Sequence, residues 1–524
     1  MCDHTAKLPP ELRRMVCELL PIESLQDVRL VSQLWSHAAA AWLWHTFDSD
    51  LQTSATRKFD ALLASRPGGF LDSVRSLNIR YCGFNEATDT RPLQLICMLT
   101  QGSLQAFAID YFLDSNTLGV LIARQPNLRK LTSRIIGSRS PPGERLVAGN
   151  LKRLKELEIV ASVSQAGYDT WFPHAQLLSS LTVRGTFEDR PTFLPWKSES
   201  KLKKLRKLNL DRVDFGESAG ALSAWLELDC LEHLILRNCE YADSFLTTLT
   251  DTYRAHGRSA LKSLEISGLD VDCEWIEDLG VFLTAISGLE YLYVSAPTDQ
   301  RLEPQSICDQ AASLRYLVVD YLSRWDQDNE DGSEECLYDD TSLRRLSTSC
   351  SHIEELGVGC AQIDFDDWGD LEPFKWNTAA MQSQEEKQLI KSLDAISTFP
   401  KLRVLRLTQS PIFVPNDGTD EGPFRQRQWR YQQYAEQILA YLAKKQSSVQ
   451  LLAFGSTRIP TNLNSAFPDS NDHRWPHYYY LRGSSKTGLP GGHRTEQTIA
   501  VPVKLSEISK YMEESRILVD PKKV

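Results

Sequence analysis

The sequence predicts an α/β protein built from stacked repeats and preceded by a short all-helical module. A pattern L-x-x-L-x-(L, I or V) recurs from residue 71 onward, and its last two apolar positions alternate as in a half-buried strand. Residues 8–48 instead carry apolar side chains at helical spacing. The 524 residues, 42% of them hydrophobic, are enough to bury a large core.

The N-terminal module, residues 8–48, is predicted to form three short helices. The first begins at Pro9–Pro10, because proline is tolerated in a first helical turn, and ends at Pro21. Ser24 followed by Asp27 indicates the start of the second helix, since the short serine side chain caps the free amides of a helix start. We expect the third helix to run from about Ser32.

A helical unit of this size leaves much of its apolar surface open to water. The rest must be covered by the following domain or by a separate protein that takes an apolar helix face into a groove, and the residues alone leave both possibilities open. The apolar side chains concerned are Leu12, Met15, Val16, Leu19, Leu20, Leu25, Val28, Leu34, Trp35, Trp42 and Leu43.

The motifs of this module occur in the order L-P-x-E-L, a leucine run with Pro21, S-L-x-x-x-R-L-V-S-x-x-W and then L-W. This order resembles the F-box of fungal F-box proteins with leucine-rich repeats, although the alanine run 38–41 departs from the family's more mixed pattern. The resemblance implies docking to the Skp-type adaptor of SCF cullin-RING ubiquitin ligases. The adaptor-binding residues that it implies are Leu8, Pro9, Leu12, Leu25, Leu30, Val31 and Trp35. Packing inside the three-helix unit is the alternative role for each of them.

The repeat pattern has a regular period. Successive first leucines of the strongest copies lie 24, 27, 26, 30, 28 and 25 residues apart, which is typical of a leucine-rich repeat with one strand and one helix or irregular return per unit. Because a single unit cannot bury its leucine row, the units are expected to stack into a solenoid with a curved parallel sheet and the helices outside. The strongest copies are Leu154-Leu157-Ile159, Leu178-Leu181-Val183, Leu205-Leu208-Leu210, Leu231-Leu234-Leu236, Leu261-Leu264-Ile266, Leu289-Leu292-Val294 and Leu314-Leu317-Val319.

The residues between the leucines point away from the repeat core, and in two adjacent units they are apolar or aromatic. Tyr291, Tyr293, Tyr316 and Val318, with Ile235 not far off, are therefore predicted to form an exposed patch that binds a protein substrate. The alternative is that a returning C-terminal segment covers this patch.

The pattern divides the chain into a helical module at 1–50, repeats at 51–457 and a C-terminal tail at 458–524, which we interpret as a possible cap for the open end of the solenoid. Wider intervals between repeats predict insertions near 323–345 and 361–395. The acidic part of the first insertion, 326–340, is either a solvated loop or a recruiter of a basic partner.

An enzyme hypothesis rests on G-x-S-x-G around Ser218, which resembles the nucleophile elbow of carboxylesterases. No glycine-rich oxyanion segment precedes Ser218, and His233 and His256 fall inside repeat units. No P-loop, Rossmann glycine pattern or H-E-x-x-H motif occurs, and the eleven cysteines include no C-x-x-C pair. We therefore expect no catalytic residues, no cofactor and no metal.

The predicted function is a non-catalytic substrate-recognition subunit of an SCF ubiquitin ligase that binds a still unknown protein target through the repeats. A leucine-rich-repeat interaction scaffold outside any ligase is the alternative, and a serine esterase using Ser218 is a remote one. The net charge of -11 argues against a nucleic-acid partner. No apolar run approaches a membrane span and no signal peptide is evident, so we expect no membrane contact and a location in the cytoplasm and/or nucleus.

Overall fold

The computed structural model divides the chain into two compact units. Unit 1 comprises Met1–Leu231 and Cys239–Tyr241, and unit 2 comprises Glu232–Asn238 and Ala242–Val524. The residues that the structure describes are 7–43, 45–50, 71–80, 91–113, 115–135, 151–161, 174–185, 192–193, 201–216, 219–268, 275–296, 300–321, 337–363, 383–409, 422–456, 478–487, 495–511 and 515–518.

Unit 1 begins with three short helices, as predicted for residues 8–48: α1 (Pro10–Glu18), α2 (Ile22–Val28) and α3 (Gln33–Leu43). The third starts where the sequence indicates, because the Ser32 hydroxyl accepts a hydrogen bond from the Trp35 amide at 3.4 Å. The predicted start of the second helix near Ser24 is wrong. Pro21 is in an extended conformation at the N-cap, so the helix begins directly after it.

The strands of unit 1 are β1 (Thr46–Asp50), β2 (Ser76–Arg80), β3 (Ala106–Leu113), β4 (Lys130–Ile135), β5 (Glu156–Ala161), β6 (Ser180–Gly185), β7 (Thr192–Phe193), β8 (Lys207–Asp211) and β9 (Val213–Asp214). From β1 to β6 each strand pairs in parallel with the next, and β6 pairs with β8. Strands β7 and β9 form a separate parallel pair. The helices that follow strands are α4 (Arg91–Met98), α5 (Ser115–Arg124) and α6 (Ala219–Trp225), and 3-10 turns lie at Leu71–Ser73, Leu151–Arg153 and Leu228–Cys230.

The strands of unit 2 are β10 (His233–Arg237), β11 (Ser263–Ser267), β12 (Tyr291–Ala296), β13 (Tyr316–Tyr321), β14 (Glu355–Val358), β15 (Val404–Leu407), β16 (Leu451–Phe454), β17 (Tyr478–Thr487) and β18 (Thr495–Pro502). From β10 to β16 they pair in parallel in chain order, and β17 and β18 continue the sheet in antiparallel fashion. The helices are α7 (Ala242–His256), α8 (Trp275–Ala285), α9 (Pro304–Cys308), α10 (Asp340–Ser349), α11 (Gln384–Ile396) and α12 (Gly422–Lys444), with a 3-10 helix at Leu505–Lys510.

The repeated leucines form the core of each unit. In unit 2, Leu264, Leu292 and Leu317 are paired in register on neighbouring strands and are fully buried. All residues of the seven strongest L-x-x-L-x-(L, I or V) copies are at most 3% exposed. Both units are therefore α/β leucine-rich-repeat arrays, as predicted. We call the side of each sheet that carries these leucines the leucine face and the opposite side the variable face.

The C-terminal ends of the two predicted insertions pack into the repeats. Helix α11 begins at Gln384, so the last part of the insertion predicted over 361–395 is a repeat helix. Its start is specified by a capping box in which the Ser383 hydroxyl accepts from the Glu386 amide at 3.2 Å and the Glu386 carboxylate accepts from the Ser383 amide at 3.1 Å. At the end of the acidic segment, the buried Tyr338 hydroxyl donates to the Leu302 carbonyl at 2.6 Å. Residues 322–336 and 364–382 lie outside the described residues.

The described cysteines are free thiols that differ in exposure: Cys97 is exposed, whereas Cys17, Cys350 and Cys360 are buried. Burial raises the pKa of the Cys360 thiol to about 12. Because the thiolate is the reactive form, we expect iodoacetamide at pH 8 to modify Cys97 in the folded protein and the three buried thiols only after unfolding in urea. Mass spectrometry of tryptic peptides measures this. Equal modification of all four in the folded state would contradict the burial.

Within the described part of the chain, no helix combines the length and the apolar character needed to cross a membrane.

Candidate protein-docking surfaces

The helical module has a small core of its own. Cys17, Leu25, Trp35, Ala38 and Ala39 are buried in it. The side chains packed against them are Leu8, Leu20, Val28, Trp42 and Leu43. The small alanines let the helices approach closely, and the tryptophan supplies a large buried area.

A side-chain hydrogen bond inside the module links α3 to α1, because the Trp42 indole donates to the Arg14 carbonyl at 3.1 Å. Backbone hydrogen bonds connect the module to the repeats. The His45 carbonyl accepts from the Arg75 and Ser76 amides, each at 2.9 Å, where β1 pairs with β2. Backbone contacts therefore join the end of the module to the first repeat strands.

Helix α1 turns its apolar stripe outward. Leu12, Met15, Val16 and Leu19 follow the i, i+3, i+4, i+7 spacing of one helix face and are all exposed, whereas Arg13 and Cys17 face the module core. The sequence marks this stripe as apolar, and among the described residues none covers it.

Three further large apolar side chains are exposed where α2 passes into α3. Together the seven residues are between 41% and 85% exposed, and they make up seven of the thirteen exposed large hydrophobic residues in the described part of the chain. We call them the exposed apolar set: Leu12, Met15, Val16, Leu19, Leu30, Val31 and Leu34. Since proteins rarely concentrate large apolar side chains at the surface without a partner, this set is a candidate protein-docking surface.

The predicted adaptor-binding residues fall into two groups. Leu12, Leu30 and Val31 belong to the exposed apolar set, and Pro9, three residues before Leu12, is also exposed. The remaining three hold the helices in place: Leu25 and Trp35 are buried in the module core and Leu8 packs against it. Sequence reasoning did not single out Met15, Val16, Leu19 and Leu34 as docking residues, although the first three share a helix face with Leu12.

The predicted substrate patch in unit 2 is covered. Tyr291, Tyr316, Val318 and Ile235 are at most 9% exposed, and Tyr293 is partly buried. The expectation that they form an exposed surface is therefore wrong, and the alternative holds for the tyrosines and Val318. The C-terminal residues that cover them, burying their apolar surface, are Tyr479, Val503, Ile508 and Ile517.

Unit 1 carries a basic cavity that the sequence analysis did not identify. It measures about 560 Å³ and is lined by Lys155, Leu177, Ser179, Lys203, Lys204, Arg206 and Cys230. Four of these residues are cationic and none is acidic, but the surface that they present to the cavity is mostly apolar. The signal in the sequence is the pair of basic stretches 152–155 and 201–207, which the net charge of the whole chain conceals.

Ser218, the nucleophile of the esterase hypothesis, lies outside the described residues. The His256 ring contacts the carbonyl of Thr252, one turn earlier in α7, at 2.7 Å. Among the residues that the structure describes, no group of three or more His, Cys, Asp or Glu side chains is placed to hold a metal ion.

Comparison with known proteins returns no matching protein family and no matching curated protein. Among solved structures, the chain is similar to TLR13 in its complex with ssRNA13, with 14% identity and a TM-score of 0.33 over 64% of this chain and 50% of that chain. It is also similar to a structural-genomics target from Bacteroides fragilis, with 14% identity and a TM-score of 0.30 over 53% of this chain and 75% of that chain. The chain thus spans about half the length of the TLR13 chain.

The class assignment rests on this chain's own strand register and buried leucines. The chain has an α/β fold of the leucine-rich-repeat type, with the three helices of residues 10–43 ahead of its first strand.

Proposed function

We propose that the chain is the substrate-recognition subunit of an SCF cullin-RING ubiquitin ligase. Its F-box-like helical module docks on the Skp-type adaptor, and its repeats bind a protein target. The observation that carries the proposal is the exposed apolar set, which lies on the segment whose residue order resembles an F-box. Fully burying one such side chain contributes about 1.5–3 kcal/mol, so a partner that covers several of them gains substantial binding energy.

In this function the chain performs no bond chemistry and needs neither metal nor cofactor. The adaptor and cullin bring a ubiquitin-charged enzyme to the complex. The repeats hold the target beside it, and the raised effective concentration accelerates transfer to target lysines.

The proposal is tested by purifying the tagged full-length chain from cells and identifying bound proteins by mass spectrometry. We expect adaptor and cullin together, and ubiquitin transfer to a third co-purifying protein when the complex is supplied with charged enzyme. Adaptor without cullin would indicate an adaptor-bound protein outside any ligase. Recovery of neither would leave the leucine-rich-repeat scaffold as the function.

A further inference from the structure

The chain's own C-terminal segment, residues 515–518, lies on the variable face of unit 2 against a buried carboxylate. Glu355 Oε2 accepts three hydrogen bonds from this segment: from the Ser515 hydroxyl at 2.9 Å, the Arg516 amide at 2.9 Å and the Ile517 amide at 3.2 Å. Glu355 itself is only 1% exposed. A single side chain at the start of β14 thus holds three consecutive residues.

A buried arginine holds the same segment from the other side. Arg406 in β15 donates from Nη1 to the Ile517 carbonyl at 3.2 Å. Its other nitrogens donate to the carbonyls of Gly455 at 2.8 Å and Ser456 at 3.1 Å, so the guanidinium is oriented by the repeats themselves. Glu355 and Arg406 therefore bind the amide and the carbonyl of one residue, Ile517.

Side chains add specificity to these backbone contacts. Ile517 is buried in an apolar cluster that includes Tyr291, Tyr316 and Val318. The Arg516 guanidinium lies 4.9 Å from the centre of the Tyr316 ring, within cation–π range. On this face a basic residue thus contacts Tyr316, and the branched aliphatic residue that follows it is buried in the apolar cluster.

If residues 515–518 covered this face permanently, apolar side chains alone would be enough. Burying the Glu355 carboxylate and the Arg406 guanidinium costs free energy, and an aromatic patch can be covered by apolar side chains at lower cost. Burial raises the pKa of Glu355, which reflects that cost. If the segment leaves, water can solvate Glu355, and Arg406 keeps the carbonyls of Gly455 and Ser456. The polar part of this face can therefore be solvated when the segment leaves, whereas the apolar part around Tyr316 and Val318 favours a replacement by another apolar side chain.

We propose that this face is a peptide-binding groove for an extended protein segment of the type Ser-Arg-Ile, and that residues 515–518 occupy it as a self-ligand that a target displaces. The recognised chemistry is two consecutive backbone amides and a carbonyl, with a cation and a β-branched aliphatic side chain at successive positions. This deepens the proposed function by naming the target class and the surface that binds it.

The test uses the full-length chain and a fluorescent peptide with the sequence of residues 512–520. In one variant, Arg516→Ala and Ile517→Ser together weaken the self-ligand, and a Tyr511→Ser variant, altered at an exposed neighbouring residue, is the matched control. We expect the double variant to bind the peptide at least about tenfold more tightly than the wild type or the control, because its groove is vacant more often. A peptide carrying serine in place of the isoleucine is expected to bind at least about tenfold more weakly than the native peptide.

Two results would show that the segment is a fixed cap and that the proposal is wrong. In one, the double variant has the melting temperature of the wild type but does not bind the native peptide. In the other, it binds the native and the serine-substituted peptides equally. Should the double variant not fold, hydrogen exchange of the wild type replaces it. Excess native peptide must then accelerate exchange in residues 512–518, and unchanged exchange overturns the proposal. The adaptor is absent from these assays, so a negative result would contradict the peptide-binding groove and not adaptor docking. A negative result in the adaptor experiment would likewise not contradict the groove.

Discussion

Replacing Leu12, Leu30 and Val31 together with serine is expected to weaken binding of the Skp-type adaptor roughly 100- to 1,000-fold, which corresponds to about 3–4 kcal/mol. Each side chain is exposed in the chain by itself, and burying it under a partner contributes roughly 1–1.5 kcal/mol when it starts about half exposed. None of the three belongs to the module core, so we expect the melting temperature to stay within a few degrees of the wild type. Titration calorimetry with purified adaptor measures the affinity, and thermal unfolding followed by circular dichroism measures the melting temperature.

A matched control is available elsewhere in the chain. Leu177, Val281 and Val501 are also exposed large apolar residues, and changing all three to serine removes exposed apolar surface outside the module. This variant is expected to bind the adaptor like the wild type. Equal loss in both triple variants, or full binding by the first, would contradict docking through the helical module.

Arg406→Ala is expected to lower the free energy of unfolding of the chain by about 3–5 kcal/mol. The guanidinium is fully buried and donates to the carbonyls of Gly455, Ser456 and Ile517. Its removal leaves these acceptors without their donor in a site that alanine is too small to fill. Urea unfolding followed by circular dichroism measures the change.

Arg403→Ala provides the comparison, because Arg403 lies three residues earlier and makes a more exposed ion pair with Glu354 at 3.0 Å. Glu354 keeps a second partner, Arg315, at 2.7 Å. We expect a loss below about 1 kcal/mol, as for ion pairs near the surface. Similar losses for the two arginines would show that Arg406 is not the buried anchor that its contacts indicate.

Much of the fold could be predicted because its determinants are local and repeated. Each repeat contacts chiefly its neighbours, so a leucine row such as Leu264, Leu292 and Leu317 appears in the sequence at the period that the strands later show. The helical module was predictable for a similar reason, because the start of its first helix is marked by Pro9 and Pro10 and the start of its third by Ser32. The start of the second helix, directly after Pro21, was not predicted.

The state of the surfaces could be decided only by the tertiary structure. Helical spacing identifies the stripe of Leu12, Met15, Val16 and Leu19, but whether a stripe is covered depends on what packs beside it, and here nothing in the described chain does so. The patch around Tyr291 and Tyr316 is instead covered by a segment that is distant in sequence. Ser515 of that segment is hydrogen-bonded to Glu355, 160 residues before it.

The sequence alone thus determined the repeat class, the parallel repeat strands and the helical start, because periodic apolar spacing acts over short distances along the chain. It did not predict the antiparallel strands β17 and β18 of the C-terminal tail. Only the tertiary structure decided which apolar surface is open and which is occupied. Coverage of a surface arises from contacts between distant segments, which leave no periodic mark on the residues that make them.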